Sequence, residues 1–199
     1  MGHFWVFGYG SLMWRPGFEH VACEPARVIG LHRAPCIYSW VHRGTRERPG
    51  IVLGLAKGGS CRGIAFKVEQ SKREKVIDYL RARELVTNVY VETERNAILE
   101  SGESVRVVTY IADPHHEQYA GKLSIDALVQ QISGAVGQSG DNESYILETL
   151  AQLRKTGIRD GLMEAVGARL MAIKPERLPI LPPDHEYPRH DQMRHPEDG

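Results

Sequence analysis

Glycines interrupt a series of short apolar runs between residues 26 and 68, and this pattern constrains the fold more than any other feature of the chain. The runs are rich in β-branched and aliphatic residues, which favour strands. Glycine inside a strand is typical of a bulge or a bend, and repeated bends curl a sheet towards a barrel. Gly30, Gly54 and Gly63 interrupt the runs 27–31, 51–55 and 63–68, and a further run covers 36–38. The sequence therefore predicts a strongly curved sheet.

Helical patterns appear after this region. Ser71-Lys72-Arg73-Glu74 matches a capping box, and the apolar residues behind it predict a helix over 72–83. Two strands over 88–99 and 105–112 are predicted next, joined by a hairpin turn at 100–103. Further helical patterns begin near Ser124 and Asn142, stop near Gly137 and Gly157, and are followed by a last predicted helix over 162–173.

The two halves are not separated by a linker, so the helices are expected to pack on the sheet in one α+β domain over residues 1–174. Residues 175–199 contain many prolines and histidines and few apolar side chains. Such a composition cannot bury enough apolar surface to order itself, and it predicts a Pro/His-rich C-terminal tail.

The first strand pattern, His3 to Tyr9, ends in a turn flanked by Gly8 and Gly10. Glycines lack the Cβ atom that would keep a ligand away from the main chain, so the following N–H groups could bind a small anion. A dinucleotide-binding fingerprint counted from Gly8 fails, because Met13 stands where the third glycine is needed and no helix pattern follows. A phosphate-binding P-loop is absent from the sequence as well.

Composition excludes several classes of partner. Lys plus Arg and Asp plus Glu each number 25, so the formal net charge is zero and no basic block points to nucleic acid. Apolar runs are shorter than the roughly 18 residues that span a bilayer, and the N-terminus lacks a signal-peptide pattern. Cys23, Cys36 and Cys61 lack the spacing of a disulfide framework. We expect a cytoplasmic protein, a monomer or homodimer, that acts on a small molecule without nucleic acid or membrane.

Glu84 is the candidate acid–base residue. It falls at the C-terminal end of the predicted 72–83 helix, beside Leu80 and Leu85. Both the negative end of the helix dipole and partial burial oppose ionisation of a carboxyl group, so its pKa is expected to rise. A carboxyl that titrates nearer neutrality can accept and return protons. The alternative is a solvated glutamate paired with Arg81 or Arg83.

An ordered series of motifs resembles the ChaC-like γ-glutamylcyclotransferases. The resemblance covers roughly residues 4 to 160. Its segments are Phe7 to Pro16, Ser39 with His42-Arg43-Gly44-Thr45, Pro49 to Leu55, Tyr79-Leu80 with Arg83-Glu84, Asp113-Pro114, Tyr119-Ala120-Gly121, and Ala135-Val136-Gly137 to Asn142.

This resemblance implies a small closed barrel-like mixed sheet with packed helices. It also implies cleavage of a γ-glutamyl peptide, glutathione above all, to 5-oxoproline and cysteinylglycine. By the same resemblance the turn formed by Tyr9, Gly10, Ser11 and Leu12 holds the γ-glutamyl group, and Glu84 moves the protons. Arg43 is a candidate for the glycine carboxylate and Tyr119 for the pocket wall, with surface pairing and core packing as their alternatives.

Neither a cofactor nor a metal is expected, because intramolecular attack by the substrate's own amine needs only orientation and proton transfer. His115 and His116 with Asp113 and Glu117, and the tail residues His185, His190 and His195, lack metal-binding spacing. A lone nucleophilic cysteine stays an alternative. A second class of function also stays open: a non-catalytic module that binds a γ-glutamyl or other amino-acid group and regulates a partner.

Overall fold

The computed structural model describes residues 2–85 and 87–173. The tail predicted over 175–199, with its three histidines, lies outside them. The strands are His3–Gly8 (β1), Ala22–Ser39 (β2), Gly50–Glu69 (β3), Tyr90–Leu99 (β4), Ser104–Ala112 (β5), Val136–Gly137 (β6) and Gly140–Asp141 (β7). The helices are Arg73–Glu84 (α1), Ile125–Ile132 (α2), Asn142–Lys155 (α3) and Gly161–Ile173 (α4), with short 3₁₀ turns at Ser11–Met13 and Gln70–Lys72.

Five strands form a closed barrel in the order β1-β3-β2-β4-β5. The neighbours pair antiparallel except for β1 and β5, which run parallel and close the barrel at Trp5–Val107 and Val6–Val108. Closure is narrow, because β2 pairs with β4 only over residues 26–28, opposite 97–99, and β1 pairs with β5 at two positions. The predicted α+β class, a closed mixed barrel with packed helices, is confirmed.

The predicted short strands between residues 26 and 68 are parts of two long strands, β2 and β3, which pair along almost their whole length. A register shift lies between Ile29 and Leu31, where Gly30 has a φ of 84°, so the predicted bulge is present there. Gly63 serves a different purpose, because a Cβ atom on it would lie 2.2 Å from the Gly8 carbonyl oxygen. Gly63 is therefore required for the close approach of two strands and not for a bend in the sheet.

Helix α1 packs its apolar side chains, Val76, Ile77 and Leu80, in a cluster with residues of β1, β3 and β5. The predicted capping box is wrong: Gln70–Lys72 forms a 3₁₀ turn, the helix starts at Arg73, and no side chain caps it. Continuity with the preceding turn replaces the cap. Packing of Leu80 in this cluster holds the C-terminal half of α1 against the barrel.

The other three helices cover the barrel next to β3. Helices α2 and α3 contact β3, and α4 packs against both helices. Ser124 caps α2 as predicted, since its hydroxyl accepts from the Ala127 N–H, but α2 ends at Ile132, well before Gly137. Asp141 caps α3 in place of Asn142, whose buried amide instead bonds the Ile51 backbone. Within residues 2–85 and 87–173, none of the helices has the length and hydrophobicity to cross a bilayer.

Candidate active site

Two cavities meet where the end of β1 faces the end of α1. The smaller, of about 70 Å³, is lined by Tyr9, Gly10, Ser11, Leu12, Leu53, Glu84, Tyr90, Tyr110 and Tyr145. The larger, of about 420 Å³, includes Ser11, Glu84, Tyr90 and Tyr145 in its own lining. Because these four residues are shared, the cavities form one site with a narrow polar end and a wider open end. The structure thus brings the predicted turn and Glu84 together.

The turn at the narrow end is built by its glycines. Strand β1 ends at Gly8, and a 3₁₀ turn follows in which the Met13 N–H donates to the Gly10 carbonyl at 2.9 Å. A Cβ atom on Gly8 would lie 3.0–3.2 Å from atoms of Leu12 and Met13, so this tight turn needs glycine there. Gly10 is open on its cavity side, with Leu53 Cδ1 nearest at 3.9 Å. A ligand can therefore approach the main chain at Gly10.

Glu84 is the last residue of α1 and turns inward. Its side chain is 18% exposed, and Oε1 lies 3.3 Å from Arg83 Nε. Burial raises the pKa of the Glu84 carboxyl, and the Arg83 charge opposes that rise without cancelling it. The pairing with Arg83 that the sequence left open is present, but the carboxyl is not solvated. Arg81 pairs elsewhere, with Glu92 at 2.8 Å.

The raised pKa predicts a pH-dependent stability. In the folded state the neutral Glu84 is favoured, so its contribution is fully present below the unfolded pKa, near 4.5, and is lost as the pH rises through the folded pKa. Glu84→Gln, which cannot ionise, should therefore gain stability over the native chain as the pH rises from about 4 to about 7. Urea unfolding of both proteins at several pH values measures this gap. If the difference in unfolding free energy between the two proteins does not change with pH, burial does not raise the pKa of Glu84.

Arg83 joins the end of α1 to the turn. One guanidinium nitrogen donates to the Arg15 carbonyl at 2.7 Å, and the other donates to Ser11 Oγ at 2.9 Å. The same side chain also pairs with Glu84. Because Arg83 contacts both elements, it fixes the position of the carboxyl relative to Ser11.

Tyrosines complete the narrow end. Tyr90 donates to the Leu53 carbonyl at 2.8 Å, and the Leu53 N–H donates to Tyr145 Oη at 3.3 Å. Burial raises the pKa of Tyr145 to about 12 and also raises the pKa of Tyr9 and Tyr90, with the Glu84 charge adding to each rise. These phenols therefore stay neutral and keep their O–H groups as hydrogen-bond donors, which Tyr90 uses on the Leu53 carbonyl.

Arg33 of β2 holds the turn, and sequence reasoning missed it. Its Nε donates to the Tyr9 carbonyl at 2.6 Å, and its other nitrogens reach Asp160 at 3.0 Å and the Arg62 carbonyl at 2.7 Å. The Arg33 and Asp160 side chains are 3% and 14% exposed. The pair connects the loop before α4 to the turn, over a sequence separation of 127 residues that no local pattern reveals.

Arg43 lies in the wide end of the site, and its predicted contact with a carboxylate stays a prediction. It is half-buried, donates to the Asp141 carbonyl at 3.3 Å, and stacks 5.1 Å above the centre of the Tyr145 ring. These contacts hold the side chain at the rim of the cavity. The wide end therefore carries a positive charge suited to a carboxylate.

Tyr119 does not line this site. It borders a separate cavity of about 280 Å³ that also includes Cys36 and Lys122. The Tyr119 backbone forms an isolated β-bridge with Ile37, and Gln118 lies in the turn just before it. Gln118, and not Tyr119, lines the large cavity. Its position next to Tyr119 was the sequence signal for Gln118.

His115 and His116 lie in a turn that follows β5, and the His116 ring bonds the backbone of that turn. The Asp113 carboxylate accepts from the His115 backbone N–H at 2.9 Å, and His116 Nδ1 accepts from the Gln118 N–H at 3.1 Å. In the described part of the chain, no three His, Cys, Asp or Glu side chains cluster closely enough to hold a metal ion. Burial raises the pKa of the Cys36 thiol to about 12, which disfavours the reactive thiolate.

Solved structures with this architecture include γ-glutamylcyclotransferases. A selenomethionine-labelled crystal of the glutathione-specific enzyme from yeast aligns with a TM-score of 0.79 at 21% identity, covering 89% of this chain and 99% of that one. Another γ-glutamylcyclotransferase aligns with a TM-score of 0.52 at 14% identity, covering 84% of this chain and 88% of that one. The fold is therefore that of the γ-glutamylcyclotransferases.

The chain belongs to the ChaC-like protein family, whose model matches residues 4–172. One relative, named glutathione-specific γ-glutamylcyclotransferase, is from Escherichia coli. It shares 33% identity with this chain over 80% of this chain and 69% of the relative. A relative of that name, numbered 1, in Danio rerio shares 33% identity over 86% and 91% of the two chains. The Schizosaccharomyces pombe relative shares 29% identity over 77% and 84%.

Proposed function

We propose that this chain is a glutathione-specific γ-glutamylcyclotransferase, a lyase that converts glutathione to 5-oxoproline and cysteinylglycine. Relatives of that name over most of the chain support the substrate and the reaction. The observation that carries the proposal is the position of Glu84: a buried carboxyl with a raised pKa that shares a cavity with the Tyr9–Leu12 turn.

The reaction suits a site built for orientation. The α-amine of the γ-glutamyl group attacks its own γ-carbonyl carbon, a new C–N bond closes a five-membered ring, and the amide bond to cysteine breaks. Because nucleophile and electrophile belong to one molecule, the site only has to hold the folded conformation and move protons. The narrow cavity, closed by tyrosines and the turn, is suited to the compact cyclising group.

Glu84 acts as the general base and then as the general acid of the reaction. As the carboxylate it takes one proton from the α-ammonium and frees the amine for attack, and as the acid it gives that proton to the departing nitrogen. After ring closure the attacking nitrogen still carries two hydrogens, and it loses one of them to become the lactam N–H. Glu84 accepts this proton and passes it to solvent or to the amine of the product. A carboxyl with a raised pKa performs both steps better than a strongly acidic one.

Binding is divided between the two ends of the site. Main-chain N–H groups at the start of a helical turn have no carbonyl partner within it, so the Tyr9–Leu12 turn can donate to the α-carboxylate or to the developing oxyanion. Neutral tyrosines such as Tyr145 add donors. Arg43 in the wide end is suited to the glycine carboxylate of glutathione.

The same proposal covers cofactor, partners and location. The proposed reaction requires neither a cofactor nor a metal, and the substrate is a small γ-glutamyl peptide. The enzyme acts as a monomer or homodimer, without nucleic acid or membrane. Cys23, Cys36 and Cys61 are free thiols, which supports the reducing cytoplasm as its location.

A product assay tests the function. The purified full chain is incubated with reduced glutathione in the presence of a chelator, and 5-oxoproline and cysteinylglycine are quantified by mass spectrometry. Equal amounts of the two products support the proposal. Saturable binding of glutathione without any product contradicts it and favours the binding module.

Gly10→Ala should weaken substrate binding without unfolding the protein. Its new Cβ would stand on the cavity side of the turn, where only Leu53 Cδ1 comes within 4 Å, so it would occupy ligand space without meeting the backbone. An overpacking penalty of about 1–3 kcal/mol corresponds to an increase in KM of about fivefold to 160-fold. Gly161→Ala, at the start of α4 with nothing within 4 Å, is the matched control. Equal KM values for the two variants would exclude contact between the substrate and Gly10.

A further inference from the structure

Gln118 is held rigidly in the wall of the large cavity. Its backbone N–H donates to His116 Nδ1 at 3.1 Å, and its carbonyl accepts from the Tyr38 N–H at 2.8 Å. Its side-chain Nε2 donates to the Tyr38 carbonyl at 2.7 Å. A carbonyl can only accept, so this last bond fixes which end of the Gln118 amide is nitrogen. The oxygen Oε1 is consequently the end left for another partner.

The Oε1 atom is buried, and among the residues that the structure describes it has no hydrogen-bond partner. The whole residue is 3% exposed, yet it borders the large cavity together with Ile37, Tyr38 and Ser39. Buried polar atoms are nearly always satisfied, and leaving an acceptor unpaired is unfavourable. Because the residue that carries this unpaired acceptor borders the cavity, a bound ligand that donates a hydrogen bond can satisfy it.

The place of Gln118 within the site indicates which part of the ligand it meets. It does not belong to the lining of the narrow cavity, where Tyr9 and Glu84 are expected to hold the cyclising γ-glutamyl group. Substrate atoms beyond the scissile amide therefore extend into the wide end. In glutathione that portion offers two donors, the cysteine S–H and the glycine N–H, and one carboxylate that an amide oxygen cannot bind.

We propose that Gln118 is a substrate-binding residue whose Oε1 accepts a hydrogen bond from the cysteinylglycine portion of the substrate, from the thiol or from the glycine N–H. This proposal rests on the proposed function for the orientation of the peptide. It makes Gln118 a determinant of specificity: it accepts from a donor, while Arg43 attracts the carboxylate. Peptides that lack the donor leave the acceptor unpaired and are discriminated against.

The test combines one variant with three substrates. Gln118→Met keeps the length of the side chain and removes the acceptor. The substrates are glutathione, its analogue with 2-aminobutyrate in place of cysteine, which lacks the S–H, and its analogue with an ester in place of the glycine amide, which lacks the N–H. For glutathione we expect Gln118→Met to lower kcat/KM by about fivefold to tenfold, mainly through KM.

The pattern across substrates separates binding from a structural role. On the analogue that lacks the paired donor, wild type and Gln118→Met should have equal kcat/KM, while the other analogue should show the full loss. A loss of the same factor on all three peptides, or no loss on any, overturns the proposal. Thermal melts confirm that each variant is folded.

Failure of the two proposals can be told apart. If the wild-type chain turns over none of the peptides, the proposed function fails, and the same comparison is made on dissociation constants measured by calorimetry. If Gln118→Met does not fold, the three peptides are compared on wild type, where a deficit for one analogue supports the acceptor and equal kcat/KM for all three overturns it.

Discussion

Glu84→Gln should lower kcat for glutathione by about 10²–10⁴-fold, the usual contribution of a general acid–base residue. Glutamine keeps the size of the side chain and can still accept from Arg83 Nε, 3.3 Å from the native carboxyl, but it can neither take nor return a proton. The measurement is the initial rate of 5-oxoproline formation by purified native and variant protein. The dissociation constant for glutathione, measured by calorimetry, should change far less than the rate.

The matched control is Glu74→Gln, an exposed glutamate in the first turn of the same helix, which should leave the rate unchanged. Retention of at least a tenth of the native rate by Glu84→Gln would refute its role as proton carrier. A loss of binding as large as the loss of rate would instead assign Glu84 to substrate binding.

Arg33→Met should lower the free energy of unfolding by about 3–5 kcal/mol, because removing one partner of a buried pair leaves the other charge uncompensated. Arg33 contacts Asp160 and also donates to the Tyr9 and Arg62 carbonyls, so three acceptors lose their donor. For a chain of this size the effect corresponds to a fall in Tm of roughly 10 °C. Chemical denaturation followed by circular dichroism measures it.

The control for this variant is Arg62→Met, since the Arg62 side chain is exposed and only its backbone carbonyl contacts Arg33. It should lie within about 0.5 kcal/mol of the native protein. Asp160→Asn introduced into Arg33→Met should recover part of the loss, because it removes the unpaired charge. Stability of Arg33→Met within about 1 kcal/mol of native would mean that the buried pair does not hold the turn.

The curvature of the sheet could be predicted from local patterns, because Gly30, at a φ of 84°, marks a true bulge and the strand runs are strongly apolar. Closure into a barrel was implied by the family resemblance. The merging of those runs into β2 and β3 could not be predicted, since pairing across the barrel decides where a strand is interrupted. Ser124 was correctly predicted as a cap, whereas Ser71 was not, because the chain reaches α1 through a 3₁₀ turn that leaves no place for a side-chain cap.

The candidate site also contains both residues that local sequence predicts and residues that it does not. Glu84 and the Tyr9–Leu12 turn could be predicted because a helix end and a glycine turn are local features, and the family resemblance joined them. Arg33 and Gln118 could not, because their importance comes from contacts with Asp160 and Tyr38 that are remote in sequence. Tyr119 borders a separate cavity and its neighbour Gln118 borders the large one, and the local pattern around this turn does not predict which of the two residues faces the site.

Turnover of glutathione in ¹⁸O-labelled water tests the central claim most directly, because intramolecular attack and hydrolysis incorporate oxygen differently. The proposed chemistry predicts 5-oxoproline whose oxygens all come from the substrate, released in equal amount with cysteinylglycine. Glutamate carrying one ¹⁸O atom in its γ-carboxylate, formed in place of unlabelled 5-oxoproline, would contradict it.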